Sequence, residues 1–276
     1  MAAIAVDSAI VARAKEGDRA AQDAIVRASK DLVFNLSLKM LGSPPDAEDA
    51  TQEILLKLIT HLSSFRGDSA FRTWAYRVAA NHLLNIRKRG AETRFESFDE
   101  MAEGLSAGLA TGAPPAEQQV VINEAKMICT STMLARLDRD HRLAFILGDI
   151  LELPGDEGAA VLEIDPAAFR QRVSRARARM AEFMGAICGL VDEATPCRCD
   201  RVAGWALQTG SIDPSCLAWN SLPVQAPGAA RARIDELDGI SRAVEVFRGH
   251  PDYAAPDVLV SRLRAMLDSS TSDLFG

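Results

Sequence analysis

The stretch DAEDATQEILLKLITHLSSFRGDSAFRTWAYRVAANHLLNIRKR, residues 46–89, decides the class of fold. In its first part apolar residues recur at helical spacing, which predicts an amphipathic helix with one buried face. That face consists of Ala50, Ile54, Leu55, Leu58 and Leu62. Ser43 is the expected N-cap of this helix, with Pro44 at its first position. Alanine, leucine and arginine are abundant in the whole chain and aromatic residues are few, so we predict an all-α fold.

The same predicted helix carries a second stripe, which is polar and mostly acidic. Its members are Asp46, Asp49, Gln52 and Glu53. Like charges at this helical spacing repel one another mildly. A solvated surface is the ordinary explanation of such a stripe. A docking face for a basic partner protein is the alternative.

A loop over residues 63–71, SSFRGDSAF, places Phe65 and Phe71 near its two ends and Arg66 between them. The predicted helix that follows is basic. Basic side chains beside loop aromatics suit unpaired bases, which stack on the rings while the cations hold the phosphates. Trp74 falls on the apolar stripe of the second helix and is expected in the core. Phe65 is the better candidate for stacking.

A second cluster of positive charge, RQRVSRARAR, covers residues 170–179. The residues before it predict a helix-turn-helix, whose short first helix turns Ala160 and Leu162 inward. Asp165 would cap the second helix, with Pro166 at its first position. The core face of the second helix is predicted to be Phe169, Val173, Ala176 and Met180. Its N-terminal residues could meet base edges in a major groove, and a solvated basic face on a helical hairpin is the alternative.

Composition restricts the remaining choices. The 276 residues have a formal net charge of −7 and are 48% hydrophobic and 25% charged, an ordinary globular balance. No apolar run approaches the ~18 residues of a membrane span, and the first residues lack the basic start of a signal peptide. The five cysteines show no disulfide framework. A cytoplasmic location is therefore expected.

Cysteines cluster after the second basic helix in the pattern C-x8-C-x-C, formed by Cys188, Cys197 and Cys199. Three explanations stay open: a thiophilic metal such as Zn²⁺, a redox switch, and small buried side chains. A structural zinc site needs four ligands, and Cys216 and His250 are the candidates for the fourth, neither at a diagnostic spacing. Arg198 and Arg201 would lower the pKa of a nearby thiol, which favours the redox explanation.

The two basic blocks together resemble the extracytoplasmic-function (ECF) group of bacterial sigma-70 family RNA polymerase sigma factors. DAEDATQEILLKLITHLSSFRGDSAFRTWAYRVAAN is similar to their region 2, and LDRDHRLAFILGDILELPGDEGAAVLEIDPAAFRQRVSRARARM is similar to their region 4. The resemblance implies a helical region 2 over residues 1–90 and a helix-turn-helix region 4 over residues 126–185. An acidic flexible linker over residues 91–125 would join them, since this segment is glycine-rich and without a sustained apolar period. Residues 186–276 would be a helical C-terminal extension that minimal members of the group lack.

The resemblance also implies roles for individual residues. Docking on the clamp helices of the polymerase β′ subunit would involve Asp49, Gln52 and Glu53. Binding of the promoter −10 element, including capture of a flipped base, would involve Phe65, Arg66, Phe71, Arg77 and Asn81. The −35 element would be read by Arg170, Gln171, Ser174 and Arg175. Gly155 and Gly158 stand where the family usually has better helix formers, which predicts a region 4 that is marginally stable or needs support from its neighbours.

The resulting interpretation is a sigma factor that directs core RNA polymerase to promoters and is not an enzyme. Its expected partners are the β′ clamp helices and β subunit of the polymerase and promoter DNA, and an anti-sigma factor is a further candidate. No cofactor is required, and Zn²⁺ or another thiophilic metal at the cysteine cluster is one of the three explanations left open above. The alternative, a stand-alone helix-turn-helix regulator, leaves the acidic stripe and the Phe65 loop without a purpose. We expect the extension to rest on region 4 or region 2 and to regulate access to polymerase or DNA in response to a stress, metal or redox signal.

Overall fold

The computed structural model describes residues 6–87, 90–94, 96–226 and 238–273. Within these ranges the chain forms twelve α-helices and one pair of short strands, which confirms the all-α class. The helices are α1 (Ser8–Lys15), α2 (Arg19–Leu41), α3 (Pro44–Thr60), α4 (Phe71–Asn85), α5 (Phe98–Ala110), α6 (Gln119–Ala135), α7 (Arg139–Phe145), α8 (Gly155–Leu162), α9 (Pro166–Ile187), α10 (Cys199–Gln208), α11 (Gly239–Arg248) and α12 (Val258–Asp273). The strands, β1 (Val224–Ala226) and β2 (Asp252–Tyr253), pair antiparallel with Val224 opposite Tyr253.

The first four helices form one packed unit around a shared apolar core. Asp18 caps α2 by accepting hydrogen bonds from the backbone amides of Ala20 and Ala21. Gly42 ends the same helix at φ 63°, a left-handed conformation that favours glycine. Ser43 and Pro44 then begin α3 as predicted, although the Ser43 side chain makes no cap hydrogen bond. Every residue of the predicted apolar face of α3 and the following turn is buried: Ala50, Ile54, Leu55, Leu58 and Leu62.

Helices α8 and α9 form the predicted helix-turn-helix. Asp165 caps α9 by accepting from the amide of Ala167, and Pro166 is its first residue. The predicted core face of α9 is buried at all four positions, Phe169, Val173, Ala176 and Met180. Helix α7 continues through a π-helical turn, Ile146–Ile150, before α8 begins. The core face of α9 was therefore predictable from its helical period alone.

The predicted inward face of α8 is wrong at Ala160 and holds in part at Leu162, which packs against the core. Ala160 is exposed and Leu162 is half-buried, whereas Ala159 and Val161 are buried. The helix packs against α9 on one side and against α4 on the other. Its buried face is therefore set by two neighbours at once, and one of them lies far away in the sequence.

Gly158 has a packing role that the expectation of a weak helix overlooked. A Cβ at this position would lie 2.2 Å from Cζ of Phe169, so the phenyl ring rests directly on the glycine backbone. The low helix propensity of glycine is accompanied here by close packing between α8 and α9. A Cβ at Gly155, by contrast, would have no neighbouring atom within 4 Å.

The segment predicted as a linker, residues 91–125, is not without regular structure. Helix α5 begins at the Ser97 cap, whose side chain accepts from the amide of Glu100. Met101 and Leu105 are buried, and the ring of Trp205 from α10 lies against Gly108. Glycines interrupt the apolar period of this segment, and the residues that cover α5 come from distant segments, such as Phe183 of α9 and Trp205 of α10. Sequence periodicity consequently failed to indicate the helix.

The C-terminal extension packs on both halves of the molecule, as expected. Helix α10 contacts α5 and α6, and α11 contacts α9. Strand β2 contacts α2, and α12 contacts α3. The extension therefore reaches the helix-turn-helix unit and the first four helices in turn.

Candidate polymerase- and DNA-binding surfaces

The acidic stripe of α3 is partly covered by helix α12. Asp49 and Glu53 are exposed, whereas Gln52 is half-buried. The side-chain amide of Gln52 lies 3.2 Å from Sδ of Met266 in α12. A carboxylate oxygen of Glu53 lies 3.6 Å from Nε2 of His82. Two of the three predicted docking residues thus face solvent, and the third contacts the extension.

The two aromatic residues of the predicted base-capture loop form a cluster with Trp74 of α4. Phe65, Phe71 and Trp74 have ring centroids 5.5 Å apart in each pair. Phe71 is the first residue of α4 and is buried, so its placement in the loop is corrected to the helix. Phe65 is half-buried, with Nζ of Lys15 5.9 Å from its ring centroid. Arg66 is exposed, and Trp74 lies in the core as predicted.

The basic helix α4 faces α8. Asn81 is exposed, whereas Nη1 of Arg77 lies 3.6 Å from a carboxylate oxygen of Glu163. Arg72 and Thr73 both donate hydrogen bonds to Glu157. The helix predicted to bind the −10 element is therefore joined to the first helix of the helix-turn-helix. Lys88 and Arg89, which the sequence places on the same basic helix, lie outside the described residues.

The predicted −35 residues share the exposed face of α9. All four are exposed: Arg170, Gln171, Ser174 and Arg175. The neighbouring arginines are used within the fold. Nη1 of Arg172 lies 3.0 Å from Asp140, and Nε of Arg177 donates to Asp149 at 2.9 Å. The helix thus separates its arginines into a structural set and a set that faces solvent.

The family comparisons match the two segments of the chain that carry these predicted surfaces. The family Sigma-70 region 2 matches residues 25–93, and the family Sigma-70, region 4 matches residues 128–180. The RNA polymerase sigma-H factor of Pseudomonas aeruginosa is 30% identical over 176 residues, which cover 62% of this chain and 90% of that protein. The ECF RNA polymerase sigma-E factor of Escherichia coli K12 is 30% identical over 173 residues, with the same coverage of 62% and 90%.

The chain belongs to the ECF group of the sigma-70 family. It is an RNA polymerase sigma factor, whose partners are core RNA polymerase and promoter DNA. The two regions occur in one chain, which disfavours the stand-alone regulator. None of the described helices is both long and apolar enough to cross a membrane.

Two solved structures also resemble this sigma factor. CnrH, solved in complex with the cytosolic domain of CnrY, aligns with a TM-score of 0.46 and 22% identity over 65% of this chain and 97% of that one. RpoE of Bartonella quintana, solved with the anti-sigma factor NepR, aligns with a TM-score of 0.36 and 18% identity over 63% and 98%.

A buried ion-pair network joins regions 2 and 4 between Glu92, helix α7 and the end of α2. Glu92 accepts hydrogen bonds from Arg139 at 2.9 Å and 2.7 Å and from Arg142 at 3.0 Å. Burial disfavours the charged carboxylate of Glu92, but the two arginines outweigh it and lower its pKa. Arg142 also donates to the carbonyl oxygen of Met40 at the end of α2. No sequence pattern indicates this network, because its members come from separate segments.

The cysteine cluster has a further member that the sequence did not indicate. Cys188 ends α9, Cys199 begins α10, and Cys197 pairs with Cys188 through a parallel β-bridge. Cys129 of α6 lines the same small pocket as these three cysteines. No motif spacing links Cys129 to residues so far along the chain.

The two residues considered as a fourth ligand lie elsewhere. Cys216 is exposed, and His250 lines a different pocket, where its Nε2 lies 3.1 Å from Oγ1 of Thr130. Burial lowers the pKa of His250 to about 3, with Lys39 and Lys126 adding to the effect. Neither residue lines the cysteine pocket, whereas Cys129 does.

Burial dominates the acidity of the clustered thiols. It raises the pKa of Cys197 to about 12 and that of Cys199 to about 11, and it raises the pKa of Cys129 and Cys188 as well. Arg198 acts in the expected direction, lowering the pKa of Cys188, Cys197 and Cys199, but burial outweighs it and the pKa of these thiols is raised. Its guanidinium also donates hydrogen bonds to the carbonyl oxygens of Glu193, Thr195 and Cys197. Arg201 is exposed.

Proposed function

We propose that this sigma factor rests in a closed form, in which its own extension and region 4 cover surfaces used for initiation. The observation that carries the proposal is the position of α12, which packs on the docking helix α3 and contacts Gln52. In this form the protein would engage polymerase poorly. Opening would release the docking stripe and separate the two DNA-binding regions.

Helix α12 is held by apolar burial and by an ion pair. Val260 and Leu263 are buried in the core that they share with the first four helices. Burying one leucine side chain contributes roughly 1.5–3 kcal/mol relative to leaving it exposed. Nε of Arg264 donates to Asp23 of α2 at 2.6 Å, and this hydrogen bond lowers the pKa of Asp23. Apolar burial therefore contributes most to holding α12 in place, since the ion pair is exposed.

The strand segment before α12 is fixed to α2 by hydrogen bonds between side chains of α2 and the backbone of residues 253–255. The side-chain amide of Asn35 donates to the carbonyl of Tyr253 at 2.7 Å, and the amide of Tyr253 donates back to Asn35 at 2.9 Å. The amide of Ala255 donates to Asp31 at 2.8 Å, and Nζ of Lys30 donates to the Ala255 carbonyl at 3.0 Å. These bonds direct the chain from α11, which lies on region 4, onto region 2.

The contact between α4 and α8 is the second feature of the closed form. The −10 and −35 elements are separate parts of a promoter, so a sigma factor bound to both must hold regions 2 and 4 apart. In the closed form α4 and α8 instead contact one another through Arg72 and Glu157. Promoter binding is therefore expected to require separation of the two regions.

In the open form the assigned roles are those implied by the family. Asp49, Gln52 and Glu53 would dock on the β′ clamp helices, and the loop around Phe65 with Arg66, Arg77 and Asn81 would bind the melted −10 strand. Arg170, Gln171, Ser174 and Arg175 would read the −35 duplex. We include in the proposal that the factor acts in the cytoplasm and has no catalytic chemistry. The extension would take the place of a separate anti-sigma factor.

The test compares two glutamate substitutions on α12 in the full-length protein. Leu263→Glu places a charge in the core and should release the helix, whereas Ser261→Glu places the same charge at an exposed position. With core polymerase, run-off transcription and polymerase affinity should rise at least about tenfold for Leu263→Glu, since loss of a buried leucine contact exceeds ~1.4 kcal/mol. Ser261→Glu should match the wild type. Equal activity of all three proteins would contradict the closed form.

A docking variant separates the closed form from the sigma function itself. Glu53→Lys reverses a charge on the exposed docking stripe and should block polymerase binding in the wild-type and the Leu263→Glu backgrounds alike. Arg201→Glu, a charge reversal of similar size on the extension, should not. If Glu53→Lys binds polymerase normally, the docking role of the stripe is refuted while the closed form still stands on its own test.

A further inference from the structure

We propose that Cys129, Cys188, Cys197 and Cys199 form a four-thiolate site for a thiophilic divalent metal ion, for which Zn²⁺ is the ion to test. The inference goes beyond the proposed function, because it depends on the cysteine pocket alone. The site would lie between region 4 and the first helix of the extension.

The four cysteines come from three segments that the tertiary structure brings together. Cys129 lies on α6, Cys188 follows the last turn of α9, and Cys199 begins α10. Cys197 is the bridge partner of Cys188, so the two residues lie side by side on adjacent extended backbone. All four line one small pocket, together with the thioether-bearing Met133. All four are free cysteines.

The composition of the pocket matches one class of ion. Four thiolates in a tetrahedron are the usual ligands of structural zinc, and soft sulfur ligands select Zn²⁺ and Cu⁺ over Mg²⁺ and Ca²⁺. No carboxylate or imidazole lines this pocket, so the described residues offer no anionic oxygen ligand for a hard cation there. A single disulfide would use two of the four thiols and would leave the convergence of the other two without a purpose.

Charge balance also favours a divalent ion. Zn²⁺ with four thiolates carries a formal charge of −2, which needs positive charge close by. Lys126 lines the pocket, and both Lys126 and Arg198 exert a favourable field on the anionic form of Cys188 and Cys199. Without metal, burial and the proximity of the other thiols keep the cysteines protonated. A coordinated thiol loses its proton to solvent, so the metal would replace four protons.

The described residues do not hold the ligands in a finished metal geometry. Among them, no three His, Cys, Asp or Glu side chains already surround one metal position. Protonated thiols pack as small apolar side chains, and no helix runs between Cys188 and Cys199. Metal binding would draw these two side chains and Cys197 toward Cys129 on α6. The ion would then tie the start of the extension to region 4.

The test uses the purified full-length protein, with Zn²⁺ and Co²⁺ as probes. Metal content after loading and desalting is measured by elemental mass spectrometry, and affinity is measured by competition with a chromophoric chelator. We expect one Zn²⁺ per chain, and a Co²⁺ spectrum with sulfur-to-metal charge transfer and strong tetrahedral ligand-field bands. Cys129→Ser should lower the affinity for Zn²⁺ at least about 100-fold. Loss of a residue that only hydrogen-bonds to a metal ligand already costs up to about 100-fold, and loss of a ligand should cost no less. Cys216→Ser removes an exposed cysteine outside the pocket and should match the wild type.

Cys199→Ser serves as a second ligand variant, and circular dichroism confirms that each variant is folded. Metal content well below one ion per chain in the wild type would overturn the proposal. So would wild-type affinity and an unchanged Co²⁺ spectrum in both folded ligand variants. None of these readouts depends on transcription, so this site and the closed form can fail separately.

Discussion

Nη2 of Arg72 in α4 lies 3.0 Å from both carboxylate oxygens of Glu157 in α8. Oγ1 of Thr73 donates to the same carboxylate at 3.1 Å. These hydrogen bonds join the helix of region 2 that carries the predicted −10 residues to the first helix of the region 4 helix-turn-helix. Because the side chains of Arg72 and Glu157 are 31% and 21% exposed, the pair is only partly screened by solvent.

Glu157→Gln is expected to weaken the closed form. The substitution removes the charge from the hydrogen bonds to Arg72 and Thr73 and should cost about 1 kcal/mol of the contact between the regions. That cost corresponds to a roughly fivefold larger open fraction. Small-angle scattering and run-off transcription would both report the change. Asp156→Asn, which removes the same charge from the same first turn of α8, is the control, and an equal effect there would implicate the helix end instead of the ion pair.

Gly158→Ala is expected to destabilise the protein in spite of the higher helix propensity of alanine. Alanine gains up to about 1 kcal/mol in helix propensity, but its Cβ would meet the Phe169 ring at 2.2 Å. Displacing a buried ring typically costs about 1–3 kcal/mol, so the net change should be a lower melting temperature. Gly155→Ala has free space and should be neutral or stabilising. A Gly158→Ala protein as stable as Gly155→Ala would show that α8 and α9 are not closely packed.

His250 is expected to make stability depend on pH. Its pKa is about 3 in the folded protein because of burial, with Lys39 and Lys126 facing it, and about 6.5 in an unfolded chain. Between these values the unfolded state binds one more proton, so stability falls as pH is lowered below about 6.5. The slope contributed by this group approaches about 1.4 kcal/mol per pH unit.

Denaturant unfolding between about pH 6.5 and pH 5 would measure this slope. His250→Gln keeps a group that can hydrogen-bond to Thr130 but cannot titrate, and its stability should vary less over this range. His61→Gln, at an exposed position, controls for the loss of a histidine. Identical pH profiles for wild type and His250→Gln would contradict a neutral, buried His250.

Arg170→Ala and Arg175→Ala are each expected to relax promoter specificity at one upstream base pair. Both side chains are exposed on α9, where an arginine can pair bidentately with guanine. The expected cost is about 1–3 kcal/mol at the matched base pair and little at a mismatched one. Run-off transcription on a set of single-substitution −35 promoters would show it. Arg201→Ala removes an exposed arginine from the extension and should leave the promoter ranking unchanged.

The sequence alone determined the elements with a strong local period or cap. The apolar face of α3, the core face of α9 from Phe169 to Met180, and the cap of α9 at Asp165 all follow from residues within a few turns of one another. The exposed positions of Arg170 and Arg175 follow from the same period. Such features depend on local geometry, in which 3.6 residues per turn fix the side of a helix on which a residue lies.

The tertiary structure decided which surfaces meet. It placed α12 on α3, turned Ala159 and Val161 of α8 toward two neighbours, and brought Cys129 to the cysteines that follow α9. A periodic pattern shows that a helix has an apolar face, but it does not identify the segment that covers that face. Contacts between distant segments depend on how all the helices fill one interior, which no local window of sequence contains.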